Sequence, residues 1–115
     1  MKKNKDVKTA IITGGGGAIG SAIALQLGLD GFNIVIWDYS DKALVPTTEL
    51  LQDAGVNHIA TTFDITDNDE IERAVGLVGS HFGSINVLVN CAGIFGLSPV
   101  INLDFDYWDK VMAIN

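Results

Sequence analysis

The stretch "TGGGGAIGSAIA" begins at Thr13 and sets four consecutive glycines between an apolar strand-like run and a helix-like run. Glycines in that setting let the backbone turn tightly and approach a pyrophosphate. The N–H groups and macrodipole of the following helix favour the ligand's negative charge. A Walker-type phosphate loop would need Gly-Lys-Ser/Thr, but Ser21 follows Gly20 directly and no lysine is near, so that reading fails. A flexible linker is the plainer alternative, and the strongly patterned flanks disfavour it. Asp38 ends the next strand-like run. A carboxylate there accepts hydrogen bonds from an adenosine ribose and repels a 2′-phosphate, which favours NAD over NADP. Alone, Asp38 reads as a turn former; with the glycine turn it reads as a ribose acceptor.

The other reactive side chains form no constellation. His58 and His81 fall at a strand start and a helix end, with no partner spacing for a triad or a metal. Cys91 is the single cysteine; it permits no internal disulfide, fits a reducing cytoplasm, and reads as a small buried residue rather than a nucleophile. Tyr107 and Lys110 sit three apart on a helix as solvated neighbours.

The elements that must position the turn and Asp38 alternate along the chain. Strands are predicted at 9–13, 33–38, 58–64 and 85–90. Helices are predicted over "AIGSAIALQLGLDG", with Ile19, Ile23 and Leu27 on one face, and over "SDKALVPTTELLQDAG", with a kink or restart at Pro46. A third covers "DNDEIERAVGLVGSHFG", with Ile71, Val75 and Val78 on one face. A last one starts at Asp104 or Asp106 and carries Trp108, Val111, Met112 and Ile114. Strand–helix alternation implies an α/β fold with a doubly wound, Rossmann-type parallel sheet of order 3-2-1-4. Thr61 and Thr62 suit the third strand to an edge. The fourth would be the other edge, yet Val87, Leu88 and Val89 read as central, so the sheet is expected to continue past it.

At 115 residues the chain is at most one domain, and 48% hydrophobic with 18% charged residues describes a globular chain rather than a disordered one. A net charge of −7 argues against nucleic acid or an anionic membrane as partner. Lys2, Lys3, Lys5 and Lys8 read as a solvated tail. The basic start followed by apolar residues imitates a secretory leader, but the glycines break the apolar run, and no stretch reaches the ~18 residues a membrane span requires.

Five separated features resemble the short-chain dehydrogenase/reductase family: "TGGGGAIG" (13–20), Asp38, "FDITD" (63–67), "NCAG" (90–93) and "WDKVMAIN" (108–115). The glycine spacing of Gly14, Gly17 and Gly20 also satisfies the extended branch of the family, and Ala18 stands where the compact branch has a glycine. "NCAG" resembles the compact, single-domain branch, and Cys91 stands where a second asparagine is usual. The resemblance implies that Thr13, Gly14, Gly17, Ile19 and Gly20 hold the cofactor, with Asp38 on its ribose. It implies that Asp64 and Ile65 border the adenine, and that Asn90, Ala92 and Gly93 line the cofactor while tying the central sheet together. Asn115 would be the catalytic asparagine that helps hold a water in a proton relay.

By the same likeness the whole enzyme passes hydride between NAD and an alcohol or carbonyl substrate, without a metal, as a cytoplasmic homodimer or homotetramer. The family's tyrosine, the lysine four residues later and the serine are missing, since residues four after Tyr39 and Tyr107 are Ala43 and Val111. Residues 1–115 are therefore expected to be the cofactor-binding part of a longer protein, cut within the Asn115 helix and inactive alone. Two alternatives stay open: a short, non-catalytic dinucleotide-binding protein, and another adenosine-binding domain such as a methyltransferase, against which "NCAG" counts.

Overall fold

The computed structural model describes residues 6–94, 102 and 104–115. Lys2, Lys3 and Lys5 and most of the 94–104 loop lie outside the described residues. Strand and helix alternate as β1 (Thr9–Thr13), α1 (Ala18–Leu29), β2 (Asn33–Asp38), α2 (Asp41–Asp53), β3 (His58–Thr62), α3 (Asn68–Phe82), β4 (Val87–Asn90) and α4 (Phe105–Ile114). The four strands are parallel, in the order β3-β2-β1-β4. Right-handed crossovers decide where the helices go. From β1 to β3 the chain steps one way across the sheet, so α1 and α2 share a face. It then returns past β1 to β4, and α3 must cover the opposite face.

Both central strands are buried on both sides, and their period-2 alternation splits the core. Ala10, Ile12, Ile34 and Ile36 pack under α1 and α2 with Ala24, Leu44, Leu51 and Val56. Ile11, Val35 and Trp37 pack under α3 with Phe63, Ala74, Val78 and Phe82. Each large aliphatic side chain so buried contributes about 2 kcal/mol.

Several boundaries and faces differ from the sequence expectation. β3 ends at Thr62, not 64, because the Phe63 N–H takes the Asp38 carbonyl, the last acceptor that β2 offers. β4 begins at Val87, not 85: before it, Asn86 pairs with Thr9 through its side chain as well as its backbone, its Oδ1 accepting from the Thr9 N–H at 2.8 Å. α2 runs unbroken through Pro46. Lys42 and Pro46 both lie on its exposed side, so the carbonyl that loses a partner faces solvent. On α1 the buried residues are Gly20 and Ala24, while Ile19 is 73% exposed, since small residues let the helix lie close on the sheet. On α3 they are Ala74, Val78 and Phe82, and Val75 turns outward. β3 and β4 are the two edges, as expected, and Leu88 on β4 is 56% exposed.

Candidate cofactor cleft

A cleft of about 590 Å³ opens at the carboxyl ends of the strands, where the strand order reverses between β1 and β4. A cleft at such a reversal is where open α/β sheets bind ligands. Its wall includes Gly14, Gly17, Asp38, Asp64, Ile65, Ala92 and Gly93 from among the residues singled out by sequence.

The glycine turn is built from contacts that side chains would destroy. Gly14 has φ +65°, and a Cβ on it would lie 2.8 Å from the Cys91 carbonyl and the Ala92 nitrogen. A Cβ on Gly20 would lie 2.3 Å from the Gly14 carbonyl oxygen. The backbone N–H groups of the turn are used internally: Gly15 donates to the Trp37 carbonyl, Gly17 to the Gly14 carbonyl, each at 3.0 Å, and Gly16 to Asp38 Oδ2 at 3.0 Å. No side chain caps α1, and the first bond within it is Ser21 N–H to the Gly17 carbonyl. The amides of Ala18, Ile19 and Gly20 therefore form the anion-attracting end. Ile19 contributes its amide there, its side chain being outside the cleft wall.

Asp38 is held at the cleft edge by two backbone donors, Gly16 and its own neighbour Tyr39, whose N–H reaches Oδ1 at 2.8 Å. Thr13 joins the ends of β1 and β4. Its hydroxyl accepts from the N–H groups of Cys91 and Ala92, each at 3.1 Å, and lies 3.5 Å from the Val89 carbonyl. The tie across the sheet runs through this buried threonine, and Asn90 is exposed beside it. Cys91 packs its half-buried thiol against the α1 side of the core.

The Asp64 carboxylate accepts from both the hydroxyl and the N–H of Thr66, at 2.7 and 2.9 Å. These bonds, the hydroxyl's first, hold its pKa below the ordinary carboxylate value against a smaller desolvation effect. On the far side, α4 starts on an Asp104 cap and hangs from Ile94 by Asn115. The Ile94 N–H donates to Asn115 Oδ1 at 2.8 Å, and Asn115 Nδ2 donates to the Ile94 carbonyl at 2.9 Å. Among the described residues no group of three or more His, Cys, Asp or Glu is placed to hold a metal.

The sequence matches the family model for short chain dehydrogenases over residues 8–115. The chain belongs to the short-chain dehydrogenase family. A short chain dehydrogenase/reductase of Colletotrichum higginsianum is 37% identical over 109 residues, 94% of this chain and 41% of that protein. A diacetyl reductase, (S)-acetoin forming, of Staphylococcus epidermidis is 35% identical over 94% of this chain and 42% of that protein. The crystal structure of a single-substitution actinorhodin polyketide ketoreductase with NADPH superposes with a TM-score of 0.91 at 31% identity, over 98% of this chain and 43% of that one. The chain thus spans about two fifths of the length of these short-chain dehydrogenase relatives.

Three further residues of this dehydrogenase segment border or support the cleft without having been assigned to a site by the sequence. Glu70 accepts from the Asp64 N–H at 3.0 Å, which fixes the loop that presents Asp64 and Ile65. Its spacing from the Asp67 cap is the capping-box signature, but the carboxylate reaches past the cap to Asp64. Lys110 is exposed on α4, as a solvated neighbour of Tyr107 would be, and also borders the cleft. Thr47, buried on α2, donates its hydroxyl to the Gly15 carbonyl at 2.8 Å.

Proposed function

We propose that residues 1–115 form the nicotinamide-dinucleotide-binding part of an oxidoreductase that passes hydride between NAD and an alcohol or carbonyl substrate. The observation that carries this reading is the meeting, in one cleft, of the uncapped α1 N-terminus, the Asp38 carboxylate and the Cys91–Gly93 segment. A glycine turn packed so closely that a Cβ on Gly14, Gly15, Gly16 or Gly20 would come within 2.8 Å of a neighbouring atom leaves the start of α1 open to a pyrophosphate. In the proposed assignment the first amides of α1 hold the pyrophosphate and Asp38 accepts from the adenosine ribose. Asp64 and Ile65 border the adenine, and Asn90, Ala92 and Gly93 flank the nicotinamide half. When bound, the cofactor supplies a hydride acceptor or donor. Asn115 orders the far wall through Ile94 and is the one member of the family's relay assigned to this segment. With no Tyr-x-x-x-Lys among residues 1–115, the segment binds without turning substrate over. The whole enzyme is proposed to be a cytoplasmic homodimer or homotetramer.

NAD is proposed over NADP because a 2′-phosphate would stand beside the Asp38 charge. Asp38→Asn keeps one oxygen for the Gly16 N–H, gives up the acceptor of the Tyr39 N–H, and removes that charge, so it tests the assignment with the turn still held. Binding of NAD and NADP to the full-length gene product, by calorimetry, is the measurement. The ratio of the two affinities is expected to move toward NADP by about tenfold. Tighter binding of NADP by the unaltered protein would defeat the assignment.

A further inference from the structure

Four successive glycines make a turn with little stiffness of its own, so something outside it must fix its shape. The peptide between Gly15 and Gly16 is gripped at both ends. Its carbonyl accepts the Thr47 hydroxyl at 2.8 Å, and its N–H donates to Asp38 Oδ2 at 3.0 Å. Thr47 is 2% exposed, lies on α2, and is no part of the cleft wall. With both ends held, the peptide plane cannot rotate, and the path of the chain into Gly17 and α1 is set.

That path matters because the turn has no spare donors of its own between Gly15 and Gly17. Its amides bond inward, so its contribution to an anion site is to place the amides of Ala18, Ile19 and Gly20. We propose that Thr47 is a positioning residue for the pyrophosphate subsite: by fixing the Gly15–Gly16 peptide from outside the cleft, it aims the N-terminus of α1 at the phosphates. This rests on the dinucleotide reading above and adds a residue to it that touches no ligand. Asp38 alone would leave the plane free to swing about its amide end. Thr47 removes that freedom.

The test uses the full-length gene product with Thr47→Val, which keeps the volume and loses the hydroxyl, and Thr47→Ser, which restores it. NAD, ADP and adenosine are the probes, titrated by calorimetry. NAD and ADP affinities are expected to fall about five- to tenfold in Thr47→Val, the effect of one lost hydrogen bond, with adenosine unchanged and Thr47→Ser within about twofold of the unaltered protein. A general loosening of the fold would weaken adenosine equally and overturn the proposal, as would unchanged NAD affinity in Thr47→Val. If valine prevents folding, Thr47→Ala carries the same expectation, with adenosine binding as its control. Failure of the unaltered protein to bind NAD would instead overturn the dinucleotide reading itself.

Discussion

The two walls of the cleft are built to different standards. On the β1–β2 side the Gly15, Gly16 and Gly17 amides of the glycine turn all bond inward, and Thr13 and Thr47 hold it from buried positions. On the opposite side α4 buries no residue, Trp108 and Met112 are 52% and 65% exposed, Lys110 and Ile114 border the cleft, and among the described residues the helix is hydrogen-bonded to the cleft's rim through one side chain, Asn115. In the proposed assignment the nucleotide wall is the one held from buried positions, and the wall opposite is tied to Ile94 by Asn115. On that assignment the difference puts the firmer wall at the phosphates, where amides must point.

The contrast breaks most visibly at Gly14. Gly14→Val puts a branched side chain at φ +65° into the Cys91 and Ala92 backbone, and should cost about 3 kcal/mol or more. Chemical denaturation and NAD titration of the full-length gene product should show both lower stability and lost binding. A normal titration would mean the turn can open without harm. Asn115→Ala should cost less, about 1 kcal/mol, and only locally. Amide hydrogen exchange should show α4 losing protection while β1 and β2 keep theirs; uniform loss would show that the walls are coupled.

The smallest effect concerns charge. The Asp64 pKa is lowered in the fold by Thr66, so its contribution to stability is fully present above the ordinary carboxylate value of 3.8. That contribution is lost as pH falls through the lowered folded value. In Thr66→Val the hydroxyl donor is gone, and the Asp64 pKa should rise toward 3.8, read from the carboxyl carbon shift in an NMR titration. The small stability that this bond contributes should be missing at neutral pH, and the difference from the unaltered protein should vanish as pH falls through the lowered value. A pKa that stays put would assign the shift to the Thr66 N–H alone.

The fold was legible because its signals are local and periodic. The apolar runs 9–13 and 33–38 can only be strands covered on both faces, and Asp38 and the glycine turn sit at their ends, where the sheet puts them in one cleft. What escaped depends on distances between elements. Ile19, Ile23 and Leu27 suggested the buried face of α1; Ile23 and Leu27 do pack at the edge of the core, but close packing on the sheet centred the face on Gly20 and Ala24 and left Ile19 exposed. Pro46 suggested a break, but the bond it removes lies on the solvent side of a helix already held by Leu44, Thr47 and Leu51. Glu70, Thr47 and Lys110 are polar residues within helical patterns, and nothing in their spacing names Asp64, Gly15 or the cleft as their partner. Those partners appear only once the crossovers have placed α2, α3 and α4.

The Asn115 carboxamide gives to Ile94 and takes from it, as one peptide group does to the next in a ladder. A side chain here imitates a strand neighbour, at a place where Gly93, with no Cβ of its own, leaves room for it. Few side chains can act as both halves of a peptide. Aspartate has the same shape and charge enough to keep the Ile94 N–H, but its second oxygen would face a carbonyl and repel it. Serine is too short to span both groups. The identity of residue 115 is thus constrained by backbone mimicry.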